Sequence, residues 1–244
     1  MAETASIGNL GSPSLTRRAI YVVALVLASA LVSCSSQGAS CGGDSSGLMG
    51  SGSSHIVILL DDSQSMENLV YEVVSSFNNL LSKLPQNATL SLYGFGNANG
   101  VKVIIDREIV SSVKPLKVSD YEPTGQTPLY DAINFSLNRN MSISGNQSEK
   151  FTFFIISDGG ENASVSFELA QTRSRIQKAT DSGITIRFVA LGEDAALEAT
   201  NLGLDTSDTE SFRPDSGGVN DAFENIGGSL NQQAGNEVCN RFMP

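Results

Sequence analysis

Two hydrophobic rhythms alternate along the chain from His55 onward. "HIVILL" (His55 to Leu60), "KFTFFIIS" (Lys150 to Ser157) and "ITIRFVAL" (Ile184 to Leu191) are nearly unbroken apolar runs of strand length. Runs of that kind suit strands buried on both faces. Between the first two, Leu69, Val70, Val73, Val74, Phe77, Leu80, Leu81 and Leu84 recur at three- and four-residue steps, and Pro85 follows. That stripe predicts an amphipathic helix, ended by the proline. "TLSLYGF" (Thr89 to Phe95) and "VKVIIDREI" (Val101 to Ile109) read as two strands, and "NANG" (Asn97 to Gly100) suits the hairpin turn between them. Helices are expected from near Pro128, from about Ser166 to Asp181, from Ala195 to Leu202 and from Val219 to Gln232. "ESFRP" (Glu210 to Pro214) reads as a last edge strand.

Apolar strands interleaved with helices predict an α/β, doubly wound fold. Its central sheet should be mostly parallel, with helices on both faces and one antiparallel edge strand supplied by the hairpin. Ligands in such folds gather beyond the carboxyl ends of the strands. Asp61 ends the first strand and Asp158 follows "FTFFIIS", so two strands deliver a carboxylate to the same rim. The single histidine, His55, stands at the far end of the first strand. It reads as a strand-entry residue without a partner, which removes Ser-His-Asp catalysis from consideration. Asp62 reads as a solvated bystander and Asp131 as a helix-surface carboxylate, while Gly160, Glu161 and Asn162 are expected to shape the loop after Asp158.

Composition changes the picture at the amino terminus. Arg17 and Arg18 precede the apolar run "AIYVVALVLASALV" (Ala19 to Val32), which has the shape of a secretory signal and is short for a membrane-spanning helix. It ends in "LVSC" (Leu31 to Cys34), which resembles the lipobox of bacterial lipoproteins; the resemblance implies cleavage before Cys34 and a lipid on that cysteine. The expected organisation is a signal peptide over 1–33, a Gly/Ser-rich tether over 34–54, one domain over 55–232 and a tail over 233–244. An exported lipoprotein of the bacterial cell envelope follows, attached to the membrane through its lipid. With Cys34 acylated, Cys41 and Cys239 remain as an even pair in an oxidising compartment. The topology brings both toward the pole opposite the rim, and a bridge there would stabilise the fold by up to about 5 kcal/mol. A formal charge of −11 disfavours nucleic acid as a partner.

Three segments together resemble the von Willebrand factor type A (vWA) domain and its metal-ion-dependent adhesion site. They are "DDSQS" with Asp61, Ser63 and Ser65, "GQTPLYDAI" with Thr127, and "SDG" with Asp158. The resemblance spans about His55 to Ile226 and is nearest to small bacterial members; Gln64 stands where many members have glycine. It implies the vWA, Rossmann-like fold and a metal site formed by Asp61, Ser63, Ser65, Thr127 and Asp158. It also implies a partner protein that offers an Asp or Glu carboxylate to the metal.

The residue chemistry agrees. Hydroxyl and carboxylate oxygens without His or Cys suit a hard cation, Mg²⁺ first, with Mn²⁺ or Ca²⁺ as alternatives. Three neutral hydroxyl ligands leave much of the ion's charge uncompensated, so an incoming acid is attracted. A Ser63 or Ser65 hydroxyl capping the helix near Met66 is the competing role for the serines. The function expected is a non-enzymatic, metal-dependent protein-binding module. A metal-assisted hydrolase of the envelope and a purely structural scaffold are the alternatives.

Overall fold

The computed structural model describes residues 54–96, 100–141 and 149–241, with side chains up to Asn231. The segments assigned above as signal peptide and tether, with Cys34 and Cys41, lie outside the described residues apart from Ser54, as does the side chain of Cys239.

Six strands form one sheet: β1 (Ser54–Asp61), β2 (Thr89–Phe95), β3 (Lys102–Ile109), β4 (Lys150–Ser157), β5 (Thr185–Leu191) and β6 (Thr209–Phe212). Five helices accompany them: α1 (Val70–Lys83), α2 (Leu129–Met141), α3 (Leu169–Asp181), α4 (Glu193–Asn201) and α5 (Ser216–Arg241). The sheet order is β3-β2-β1-β4-β5-β6, parallel throughout except for β3, which runs antiparallel to β2 at one edge. The expected doubly wound sheet with one antiparallel edge strand is therefore present.

Side-chain alternation along β1 divides the core into two layers. Ile56, Ile58 and Leu60 face α1 and α5, packing with Val73, Phe77, Phe223 and Ile226. Val57 and Leu59 face α2, α3 and α4, packing with Leu129, Ile133, Ile176 and Ala199. Both faces of β1 are thus buried, which is why its sequence is apolar at every step rather than at every second one.

Several details differ from expectation. The chain after Ser63 enters a 3-10 turn (Gln64–Leu69) before α1, because Met66 and Leu69, three residues apart, eclipse there and are both buried. Helix α3 starts at Leu169, since Ser166 is held outside it by Asp131. Helix α5 continues past Gln232 to Arg241, through the residues assigned to a tail; Gln232, Gln233 and Ala234 are good helix formers that extend it, and Gly235 lies within it without ending it.

His55 is not the unpartnered strand-entry residue expected. It is fully buried, with Nε2 2.9 Å from the Ser91 hydroxyl and Nδ1 2.8 Å from the Arg107 guanidinium. Two strands distant in sequence bring those partners, because β2 lies beside β1 and β3 beside β2.

Candidate metal centre

β1 is the strand at which the winding reverses, with β2 on one side and β4 on the other. A crevice at the carboxyl end of such a reversal is the usual ligand position in open α/β sheets. Asp61 closes β1 at that end, and Asp158 follows the last residue of β4.

Asp61 is fully buried, and each of its carboxylate oxygens accepts one hydrogen bond from the protein. The Ser63 N–H donates to Oδ1 at 2.9 Å, and the Ser157 hydroxyl donates to Oδ2. The Tyr121 hydroxyl donates to the Asp61 carbonyl at 2.6 Å. Burial pushes the Asp61 carboxyl up to about 7 against those hydrogen bonds, and the nearby Asp158 charge adds to the rise. Burial likewise raises Asp158, opposed by its hydrogen bond from Ser65.

The two serine hydroxyls join the carboxylates into one chain of oxygens. Ser63 Oγ lies 3.0 Å from Ser65 Oγ, and Ser65 Oγ donates to Asp158 Oδ1 at 2.8 Å. Ser63 occupies the N-cap position of the 3-10 turn, but its hydroxyl makes no capping hydrogen bond. The capping role is therefore not what the serines do; their oxygens point along the rim.

Thr127 reaches the same rim through its backbone. Its N–H donates to the Asn162 side-chain oxygen at 2.8 Å, and its carbonyl accepts from the Asn162 N–H at 3.1 Å. A Cβ added to Gly159 would stand 4.0 Å from the Thr127 hydroxyl, so that oxygen borders the Asp158–Gly159 turn. The first and second loops are tied too, Gln64 N–H donating to Gly125 O and Thr124 N–H to Asp62 O. All five expected residues lie on three loops that are hydrogen-bonded to one another.

Among the described residues no basic side chain pairs with Asp61 or Asp158. Two close carboxylates, raised by burial and met only by hydroxyl and amide donors, form a net-negative cluster of oxygen ligands. Such a set fits a hard divalent cation and offers nothing to a soft one. The only imidazole in the chain lies six residues before Asp61 along β1, about 20 Å away.

Some participants were not legible as such. Asp62 is buried rather than solvated. Its N–H donates to Phe95 O and its carbonyl accepts from Thr124, so the backbone stays locked to the sheet end and the side chain turns inward. Its Oδ1 is buried without a partner, and burial pushes the carboxyl up to about 6, with the Lys102 charge opposing.

Room for this comes from "YGFG". A Cβ at Gly94 would sit 2.7 Å from Asp62 Oδ2, and one at Gly96 would sit 2.2 Å from the Asp62–Ser63 peptide. The alternate glycines were the available signal. Asp131, expected as a free helix-surface carboxylate, accepts N–H bonds from the loop after Asp158. Glu161 and Asn162 shape that loop as expected.

Residues 55–225 match the family model of the von Willebrand factor type A domain. No curated protein matches the chain. Among solved structures, the fold is shared with the pilus adhesin SpaC from Lactobacillus rhamnosus GG (TM-score 0.58, 16% identity, covering 75% of this chain and 30% of that one). A von Willebrand factor type A protein from Catenulispora acidiphila also shares it (TM-score 0.54, 15% identity, 72% and 42%). So does proximal thread matrix protein 1 from the mussel byssus, in a structure with a zinc-occupied MIDAS motif (TM-score 0.53, 15% identity, 72% and 47%). The chain spans less than half the length of each of these structures.

Proposed function

The chain belongs to the von Willebrand factor type A family, and from that premise we propose that its rim is a divalent-cation site that captures an acidic side chain of a partner protein. Ser63, Ser65 and Thr127 supply neutral oxygens, and Asp61 and Asp158 supply the charge. Mg²⁺ is the first candidate, and Mn²⁺ or Ca²⁺ suit the same donors. The bound ion supplies uncompensated positive charge at the rim, and an Asp or Glu of the partner completes it. Lipidation at Cys34 would hold this module at the bacterial cell envelope, with its partners there.

The observation that carries the reading is the Ser63–Ser65–Asp158 oxygen chain standing beside buried Asp61, with no basic side chain among the described residues to neutralise it. Occurrence of the same fold in a pilus adhesin, and in a byssus protein whose MIDAS motif holds zinc, is in keeping with it. A binding module fits better than a hydrolase because no imidazole stands at the rim and both carboxylates are occupied in the ligand cluster.

Thermal melts and titration calorimetry test the premise. At 10 to 100 times the dissociation constant, the cation should stabilise the fold by about 1.4–2.7 kcal/mol. That corresponds to a rise in Tm of about 3–10 °C for a domain of this size. Asp61→Asn should abolish the rise. If Mg²⁺, Mn²⁺ and Ca²⁺ at millimolar concentration all leave the melt unmoved and give no heat, the site is not a cation site.

A further inference from the structure

The loop that follows Asp158, "GGENASVSFE" (Gly159 to Glu168), has no regular secondary structure, yet six consecutive backbone N–H groups in it are taken up. Asn162 N–H donates to Thr127 O at 3.1 Å. Ala163 and Ser164 N–H donate to Glu161 Oε1 at 2.7 and 2.6 Å. Val165, Ser166 and Phe167 N–H donate to the Asp131 carboxylate at 3.0, 3.0 and 2.9 Å.

The bracing runs both ways. The first turn of α2 needs partners for its own free N–H groups, and the loop provides them. Tyr130 N–H donates to Glu161 Oε2 at 2.9 Å, and Asp131 N–H donates to the Ser164 hydroxyl at 3.0 Å. Charge-assisted bonds of this kind are about twice as strong as neutral ones. Loop and helix end therefore form one rigid block, tied directly to the backbone of Thr127.

Val165 lies within this braced run. It is 92% exposed, the most exposed of the large apolar side chains among the described residues. Its backbone is fixed while its side chain touches water on nearly every side. It lies three positions after Asn162, which is bonded to Thr127, so it stands within about 10 Å of that contact. An apolar side chain gains nothing from being held rigidly in water; held beside a binding centre, it is pre-organised for contact at little further entropic cost.

We propose that Val165 is a specificity contact on the rim: the partner it fits is a protein segment whose metal-directed Asp or Glu is flanked, within about three residues, by an apolar side chain that covers Val165. The proposal rests on the cation-site reading above, which supplies the acidic anchor; Val165 supplies the discrimination between acidic segments.

Peptide display tests it without a known partner. A library with one fixed Asp between randomised flanks is panned on the mature full chain, in Mg²⁺ and in chelator. Wild type should return Mg²⁺-dependent peptides enriched in apolar residues near the Asp. Val165→Ser removes the apolar contact without adding charge and should bind those peptides about tenfold more weakly, and select peptides without the apolar enrichment. Val118→Ser, at an exposed valine outside this loop, should bind them as wild type does.

Calorimetry with Mg²⁺ alone separates the two ideas, since Val165→Ser should leave ion affinity unchanged. Identical flank selection and affinities within twofold for Val165→Ser overturn the proposal. Failure to recover any Mg²⁺-dependent peptide, with ion binding intact, overturns it together with the acidic-partner reading. Absence of ion binding removes the cation site itself.

Discussion

The two ends of β1 are both buried and both polar, and they are built on opposite principles. At the amino end His55 is bonded to Ser91 and Arg107, and Arg107 pairs with Glu149 at 3.1 Å. The His55 ring also packs at 5.1 Å from Phe151. The Arg107 guanidinium stands between the imidazole and Glu149, so one positive charge meets one negative charge, and the imidazole is held neutral, pushed down to about 3 first by burial and then by Arg107. At the carboxyl end Asp61 and Asp158 meet only hydroxyls and amides. Donors and charges close on themselves at the first pole and leave an unbalanced negative charge at the second. Burial and hydrogen bonding alone do not distinguish a structural polar cluster from a ligand site; the charge balance does.

Breaking the amino-terminal pole should have the largest effect, and a metal-independent one. Arg107 is partly buried, and so is Glu149. Arg107→Met keeps the bulk of the side chain and the left-handed φ of 53° at this position, so the variant reads the guanidinium alone. It leaves Glu149 and the His55 Nδ1 without their donor, a loss of about 2–4 kcal/mol. Urea unfolding at pH 7 should show that loss equally in Mg²⁺ and in chelator. A loss confined to one of the two conditions would mean that the poles are coupled and the contrast drawn here is false.

The pH responses of the two ends should be opposite in sign. His55 has its folded-state pKa lowered to about 3 from an ordinary 6.5. The unfolded chain therefore binds the extra proton between those values, and stability falls as pH drops below about 6.5. At pH 5 the cost is about 2 kcal/mol. His55→Gln should narrow its gap to wild type by about that amount between pH 7 and pH 5.

Asp61 is raised to about 7 from 3.8. Here the folded chain binds the extra proton, so in chelator stability falls as pH rises from about 4 to 7. A cation must displace that proton, which makes ion affinity roughly tenfold weaker at pH 6 than at pH 8. Calorimetry at the two pH values measures it directly, and equal affinities would show that the ion displaces no proton from Asp61 in this range.

How much of this was legible in the sequence depended on whether the signal was local. Continuous apolar runs marked β1 and β4 because both sheet faces are covered, a run broken by Arg187 marked β5, and the stripe from Leu69 to Leu84 marked α1 because only one of its faces is covered. Asp61 and Asp158 were legible as rim residues because strand ends in a parallel sheet share a side. The partners of His55 were not, since Ser91 and Arg107 come from 36 and 52 residues away. Asp62 was misread because two adjacent aspartates look alike in one dimension; what buries the second is the absence of side chains at Gly94 and Gly96. Asp131 looks like a surface acid until the loop it braces is placed on α2.

The smallest effect is expected at Gln64, where the family pattern commonly has glycine. Its side chain is exposed, its N–H donates to Gly125 O at 3.2 Å, and it opens the 3-10 turn without a positive φ. Nothing in that geometry requires glycine, so this loop tolerates the longer residue. Gln64→Gly would keep the backbone hydrogen bond and the ligand oxygens while adding conformational freedom to the unfolded chain. The expected cost is about 0.4–1 kcal/mol in stability, with ion affinity unchanged within about twofold. Because the first and second loops are already pinned together by Gln64 and Thr124, the ligands should stay where they are. A Gln64→Gly protein that lost ion binding without losing stability would show instead that the side chain, not the backbone ties, holds the carboxyl-terminal pole in register.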